Sequence, residues 1–167
     1  GGIILTVGNK DATNVNAAVK DGDKASDYVT QTTAALTNTN IPSDQLTIQY
    51  INTTGRKLYD CEGQKINLDE HVVTRYFLKE GSITEGSTQK NFNLNCDAGR
   101  IENKEVKDFT DNGQTIIENV DQFNVLLGVQ KSVTSVDDKL SYEYADMAVN
   151  DYMRLSDPKP PIVNIRI

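Results

Sequence analysis

Alternation of apolar and polar residues is the feature that most limits what this chain can fold into. In residues 44–51, Leu46, Ile48 and Tyr50 share one face while Gln45, Thr47 and Gln49 share the other. A period of two is the signature of a half-buried β-strand, because successive side chains point to opposite faces. Residues 71–78 repeat the pattern with bulkier groups, setting Val72, Thr74, Tyr76 and Leu78 against Val73, Arg75 and Phe77. In residues 91–96, Phe92, Leu94 and Cys96 oppose three asparagines, which reads as a hairpin partner across the polar loop 80–89. Residues 114–118 and 122–130 supply two further strands, the second with Phe123, Val125, Leu127 and Val129 in alternation. Residues 161–167 supply a sixth, started by the Pro160-Pro161 break.

Helical signals are fewer. Tyr144, Met147, Ala148 and Tyr152 fall near helical spacing behind Ser141 as an N-cap, which predicts a helix within 141–155. Ser26 or Asp27 opens a second, short helical expectation over 26–36, although its threonines favour helix poorly. The rest of the first forty residues reads as irregular, surface-running chain. The expected fold class is therefore α+β, predominantly antiparallel β. A single domain is expected over 1–167, with an irregular N-terminal part at about 1–42 and a β-rich core at about 43–167.

Charge and motif content exclude several function classes. The net charge is −7 and the 17 basic residues are scattered, so no nucleic-acid contact is expected. No apolar run reaches the length of a membrane span, and no signal-peptide pattern is present. His71 is the only imidazole and no G-x-S-x-G elbow accompanies it, so it reads as a partly exposed residue at a strand start. Asp21, Asp23 and Asp27 resemble the opening of a calcium loop but lack its sixth-position glycine and twelfth-position glutamate. Asp111-Asn112-Gly113 reads as a turn with no metal implied. The opening Gly-Gly-Ile-Ile-Leu-Thr-Val-Gly lacks the spacing of a phosphate-cradling loop. The expected catalytic, cofactor-binding and metal-ligating sets are thus all empty. Folding without a bound metal is expected.

Cys61 and Cys96 are the only cysteines, and each is followed by an acidic residue near a strand end. A redox pair normally appears as C-x-x-C, and a zinc site needs four ligands where this chain has at most three. The simplest reading is a disulfide tying neighbouring strands, with two buried free thiols as the competing one. A crosslink closing a loop of this length contributes about 3–4 kcal/mol in the loop-entropy picture, and it implies an oxidising compartment.

The order of these segments resembles that of PilW-type minor pilins of bacterial type IV pili, relatives of the J-type pseudopilins of type II secretion. The matching positions are Asp44 to Tyr50, Asp60 to Gly63, Val72 to Phe77, Cys96, Ile116 to Gly128, and Ile162 to Ile167. The resemblance spans about residues 43–167; the loop 9–40 has no counterpart. It implies a pilin-like globular head lacking most or all of its N-terminal helix, with Gly1 placed just after that helix. It also implies a non-enzymatic structural subunit that helps initiate pilus assembly in a complex at the fibre tip. The implied partners are other minor pilins, the major pilin and any tip adhesin, with the inner membrane reached through the absent helix. The implied location is the pilus and cell surface, with the inner membrane and periplasm before assembly. A type II pseudopilin is the alternative, and a secreted hydrolase or carbohydrate-binding β domain is the remaining class. A head without its helix is expected to expose an apolar strip, on Leu46, Ile48 and Tyr50 or on Phe123, Val125 and Leu127.

Overall fold

The alternating segments pair as antiparallel strands in the computed structural model, which describes residues 1–6, 22–33, 36–82, 86, 90–103, 105–134 and 140–167. The described chain forms two compact units, Gly1–Phe123 and Asn124–Ile167.

The first unit is built on three long strands: β3 (Ser43–Ile51), β6 (His71–Glu80) and β7 (Phe92–Glu102). Short strands extend their edges: β1 (Gly2–Ile3) and β2 (Gln31–Thr33) pair with β3, and β8 (Glu105–Lys107) and β9 (Gln114–Ile117) pair with β7. A separate two-stranded hairpin joins β4 (Leu58–Tyr59) to β5 (Lys65–Ile66). The register follows the side-chain pattern. Leu46, Tyr76 and Cys96 form one cross-strand row, and Thr47, Arg75 and Asp97 form the neighbouring row on the opposite face. Ile4, Tyr28, Val73 and Val106 meet in a buried cluster, with Val29, Ile101 and Phe109 packed against it. The Tyr28 and Phe109 rings meet edge to face at 5.2 Å.

In the second unit, β10 (Leu126–Thr134) lies between β11 (Leu140–Ala148) and β12 (Ile162–Arg166), both antiparallel to it. The Asn164 side chain lies over Gly128, where a methyl group would meet its Oδ1 at 2.1 Å and turn that exposed side chain aside. A short helix, α1 (Val149–Met153), follows β11, and the Tyr152 hydroxyl donates to the Pro160 carbonyl at 2.9 Å.

Several expectations from sequence are corrected. Among the described residues the fold is mostly antiparallel β, with one 3₁₀ turn and one short helix, so neither the α+β class nor a pilin-like head of that class holds. Residues 141–148 belong to β11 rather than to a helix, since their backbone pairs with β10 along its whole length and only Val149–Met153 turns helical. Residues 25–28 form one 3₁₀ turn, and Thr32 and Thr33 after it join β2, where β-branched side chains fit the pleat; residues 34 and 35 lie outside the described residues. The early chain is also more than surface coil. Ile4 and Tyr28 are buried, and Ile4 bonds to both Thr47 and Thr30 through its backbone. No apolar strip is open at the expected places: Leu46, Phe123, Val125 and Leu127 are all buried, and Ile48 and Tyr50 are half-buried. The fifth strand begins at Leu126, four residues after its expected start.

Tyr28 is fully buried, whereas Leu68 is 59% exposed. Tyr28→Ala is expected to lower stability by about 3–5 kcal/mol and Leu68→Ala by less than about 0.5 kcal/mol. Urea denaturation with the disulfide intact checks both.

Candidate functional site

The Cys61–Cys96 disulfide ties the β4–β5 hairpin to the middle of β7, with the two Cα atoms 6.2 Å apart. Asp60 shapes the hairpin turn by accepting from the backbone N–H groups of Glu62 at 3.0 Å and Gln64 at 2.8 Å. Gly63 sits at φ 79°, a conformation that L-residues with a Cβ adopt rarely. The other Asp60 oxygen pairs with Arg100 at 2.7 Å. Crosslink and turn together deliver Glu62 to β7, where Glu62 Oε2 accepts from the Ala98 N–H at 3.0 Å.

Asp97 follows Cys96 and faces the opposite side of the strand. Its Oδ2 accepts from Arg75 Nη2 at 2.7 Å and from the Thr110 N–H at 3.0 Å. Its Oδ1 is buried and has no hydrogen-bond partner among the described residues. The third contributor is the loop between β8 and β9. Asp108, Thr110 and Gly113 all take positive φ there, and the turn is closed by the Gly113 N–H donating to Asp111 Oδ1 at 2.6 Å. Only glycine fits at 113, since a methyl group would lie 2.3 Å from the Cys96 carbonyl oxygen. The turn is thereby pressed onto the crosslinked strand.

These three segments bring Glu62, Asp97 and Asp111 together, with one carboxylate oxygen from each lying within 4.8 Å of the others. Asp97 is fully buried, Glu62 half-buried and Asp111 exposed. A cleft of about 420 Å³ opens beside them, lined among others by Asp60, Glu62, Asp108 and Asp111. Burial pushes the Asp97 carboxyl up to about 6; the Arg75 guanidinium opposes this and the Asp111 charge adds to it. Burial also raises Glu62, against the pull of the Ala98 N–H. General acid–base chemistry needs its proton-holding group within reach of a substrate. Asp97 has no exposed surface from which to deliver a proton into the cleft. Glu62 and Asp111 do line the cleft, and the cluster offers carboxylate oxygens to a cation as well as a counter-charge for Arg75.

No protein-family profile, curated protein or solved structure matches the chain.

Of the residues singled out from sequence, Cys61 and Cys96 are brought together as a disulfide, with no free cysteine remaining. His71 stands at the start of β6, half-buried, with burial lowering its pKa, and it is not one of the clustered residues. Asp23 accepts from the Tyr28 hydroxyl at 2.6 Å and Asp27 pairs with Arg75 at 3.5 Å, so these two serve separate structural contacts; Asp21 lies outside the described residues. Asp111, read as part of a plain turn, belongs to the cluster. Glu62, Asp97 and Arg75 were not singled out. The available signal was the acidic residue directly after each cysteine, because a disulfide between the cysteines must bring those neighbours close.

The ordinary aspartate value of 3.8 and the raised value of about 6 define a window for Asp97. Within it the folded chain holds a proton that the unfolded chain has released. The contribution of Asp97 to stability therefore falls as pH rises from about 4 to about 6, and is constant above that window. A ¹³C carboxyl titration in metal-free buffer is expected to place the Asp97 midpoint near 6. A midpoint near 4 would show that the Arg75 charge outweighs burial.

Proposed function

We propose that this chain is a non-enzymatic structural subunit of an extracytoplasmic assembly, and specifically a minor pilin that helps initiate a bacterial type IV pilus near its tip. The observation that carries the reading is the Cys61–Cys96 disulfide, because such crosslinks persist in oxidising compartments. The order of strand motifs from Asp44 to Ile167 supplies the pilus assignment. The reading does not depend on a helix-bearing head, which the antiparallel architecture replaces. Exposed apolar side chains on the outer strands of the second unit, Tyr142 and Tyr144 on β11 and Val163 and Ile165 on β12, are what neighbouring subunits would cover. Other minor pilins, the major pilin or a tip adhesin are the proposed neighbours.

Deleting the gene in its host is expected to reduce surface pili at least tenfold, a loss of fibre nucleation rather than of fibre growth. Electron microscopy and sheared-fibre yields are the readouts. Re-expressing the deleted gene is expected to restore fibres. Intact pili with lost type II secretion would point to a pseudopilin instead, and intact pili with intact secretion would overturn the structural reading altogether.

A further inference from the structure

The geometry points to a divalent-cation site, of calcium type, formed by Glu62, Asp97 and Asp111. This goes beyond the pilus reading and stands independently of it. An ion held at about 2.4 Å has ligand oxygens at most about 4.8 Å apart, twice that radius. Three oxygens mutually within 4.8 Å therefore fit around one calcium ion. Magnesium, held at about 2.1 Å in stricter octahedral geometry, keeps several of its waters and is usually bound through only one or two carboxylates, so a three-carboxylate set suits calcium better.

Acidic clusters on protein surfaces are common, and the observation that distinguishes this one is Asp97. A fully buried carboxylate oxygen without a partner is costly, and buried polar atoms are nearly always satisfied. Asp97 directs Oδ2 to Arg75 and Thr110 and leaves Oδ1 buried without a partner among the described residues, in a side chain whose carboxylate meets those of Glu62 and Asp111. A cation beside Oδ1 would satisfy it.

Charge agrees with this assignment. Arg75 is shared between Asp97 and Asp27, and Arg100, near enough to act on Glu62, is itself paired with Asp60 and Glu70, so the cluster keeps an excess of negative charge that a dication would reduce. The donors are all carboxylate oxygens, and both cysteines are consumed in the disulfide, so a hard cation is favoured over zinc or copper. The cleft is lined by Glu62 and Asp111 and gives a hydrated ion a way to those two carboxylates, with Asp97 buried behind them; its wall carries Asp60 and Asp108 together with Lys65 and Arg100. The site is also pre-organised. The disulfide fixes the hairpin that carries Glu62, and Gly113 presses the Asp111 turn against Cys96. This replaces the metal-free expectation drawn from Asp21, Asp23 and Asp27, and places the cation elsewhere in the chain.

Equilibrium dialysis of the chelator-stripped chain against CaCl₂, with MgCl₂ in parallel, tests the inference. One calcium per chain is expected, with a Kd of about 10⁻⁴–10⁻³ M as in extracellular modules, and binding of magnesium at least tenfold weaker. Glu62→Gln retains an acceptor for the Ala98 N–H, and Asp111→Asn lies at the exposed rim, so both variants are expected to fold. Each is expected to weaken calcium binding at least tenfold while circular dichroism and the disulfide stay unchanged. Asp157→Asn, in the second unit, is expected to bind as the parent does. No bound calcium at about 1 mM, or affinity unchanged in both Glu62→Gln and Asp111→Asn, would overturn the assignment.

Discussion

The guanidinium of Arg75 is the charge on which the arrangement of the first unit depends. Arg75 is only 5% exposed and lies on the middle strand of the sheet. A buried cation is tolerable only when counter-charges and acceptors are brought to it. Here they come from three separate parts of the chain: Asp27 in the 3₁₀ turn, Asp97 on β7, and the Asp111 carbonyl in the loop before β9. The rings of Phe77 and Phe109 flank the group at 4.1 and 5.4 Å, adding cation–π attraction where water is excluded. Solvating this one side chain thus draws together the segments that build the acidic cleft.

The disulfide works alongside that charge by a different route. It acts chiefly on the unfolded chain, by limiting how far Cys61 and Cys96 can separate, and it contributes about 3–4 kcal/mol in that picture. In the folded chain it also sets Glu62 beside β7, but it leaves open how the carboxylates face one another. That choice falls to local turn chemistry: Asp60 ordering the hairpin, and Gly113 permitting the close approach to Cys96. Crosslink, turns and buried charge agree on one arrangement, which is what lets three like charges sit so near one another.

Much of the sheet was legible because its pattern is local. The alternation around Leu46, Val72 and Phe92 marked β3, β6 and β7, and the start of β12 followed from Pro160-Pro161. Strand β11 was not legible. Tyr144, Met147, Ala148 and Tyr152 fit a helical period as well as Tyr142, Tyr144 and Asp146 fit a strand, and only pairing with β10 decides between them. The cleft was hidden for a related reason. Glu62, Asp97 and Asp111 lie on three distant segments, and each alone is an ordinary acidic residue near a turn. Arg75 gave no signal either, since an arginine within an alternating strand usually faces water, whereas here it shares a buried face with Val73.

The measurement that tests this account most directly is a double-mutant cycle on Arg75 and Asp97, using Arg75→Met and Asp97→Asn and following urea unfolding with the disulfide intact. If the buried pair organises the unit, each single change lowers stability by about 3–5 kcal/mol, because it strands the other partner. The double variant then loses less than the sum of the singles by about 1 kcal/mol or more. Single losses below about 1 kcal/mol that simply add would contradict the account, and would mean that the sheet is held together without this charge at its centre.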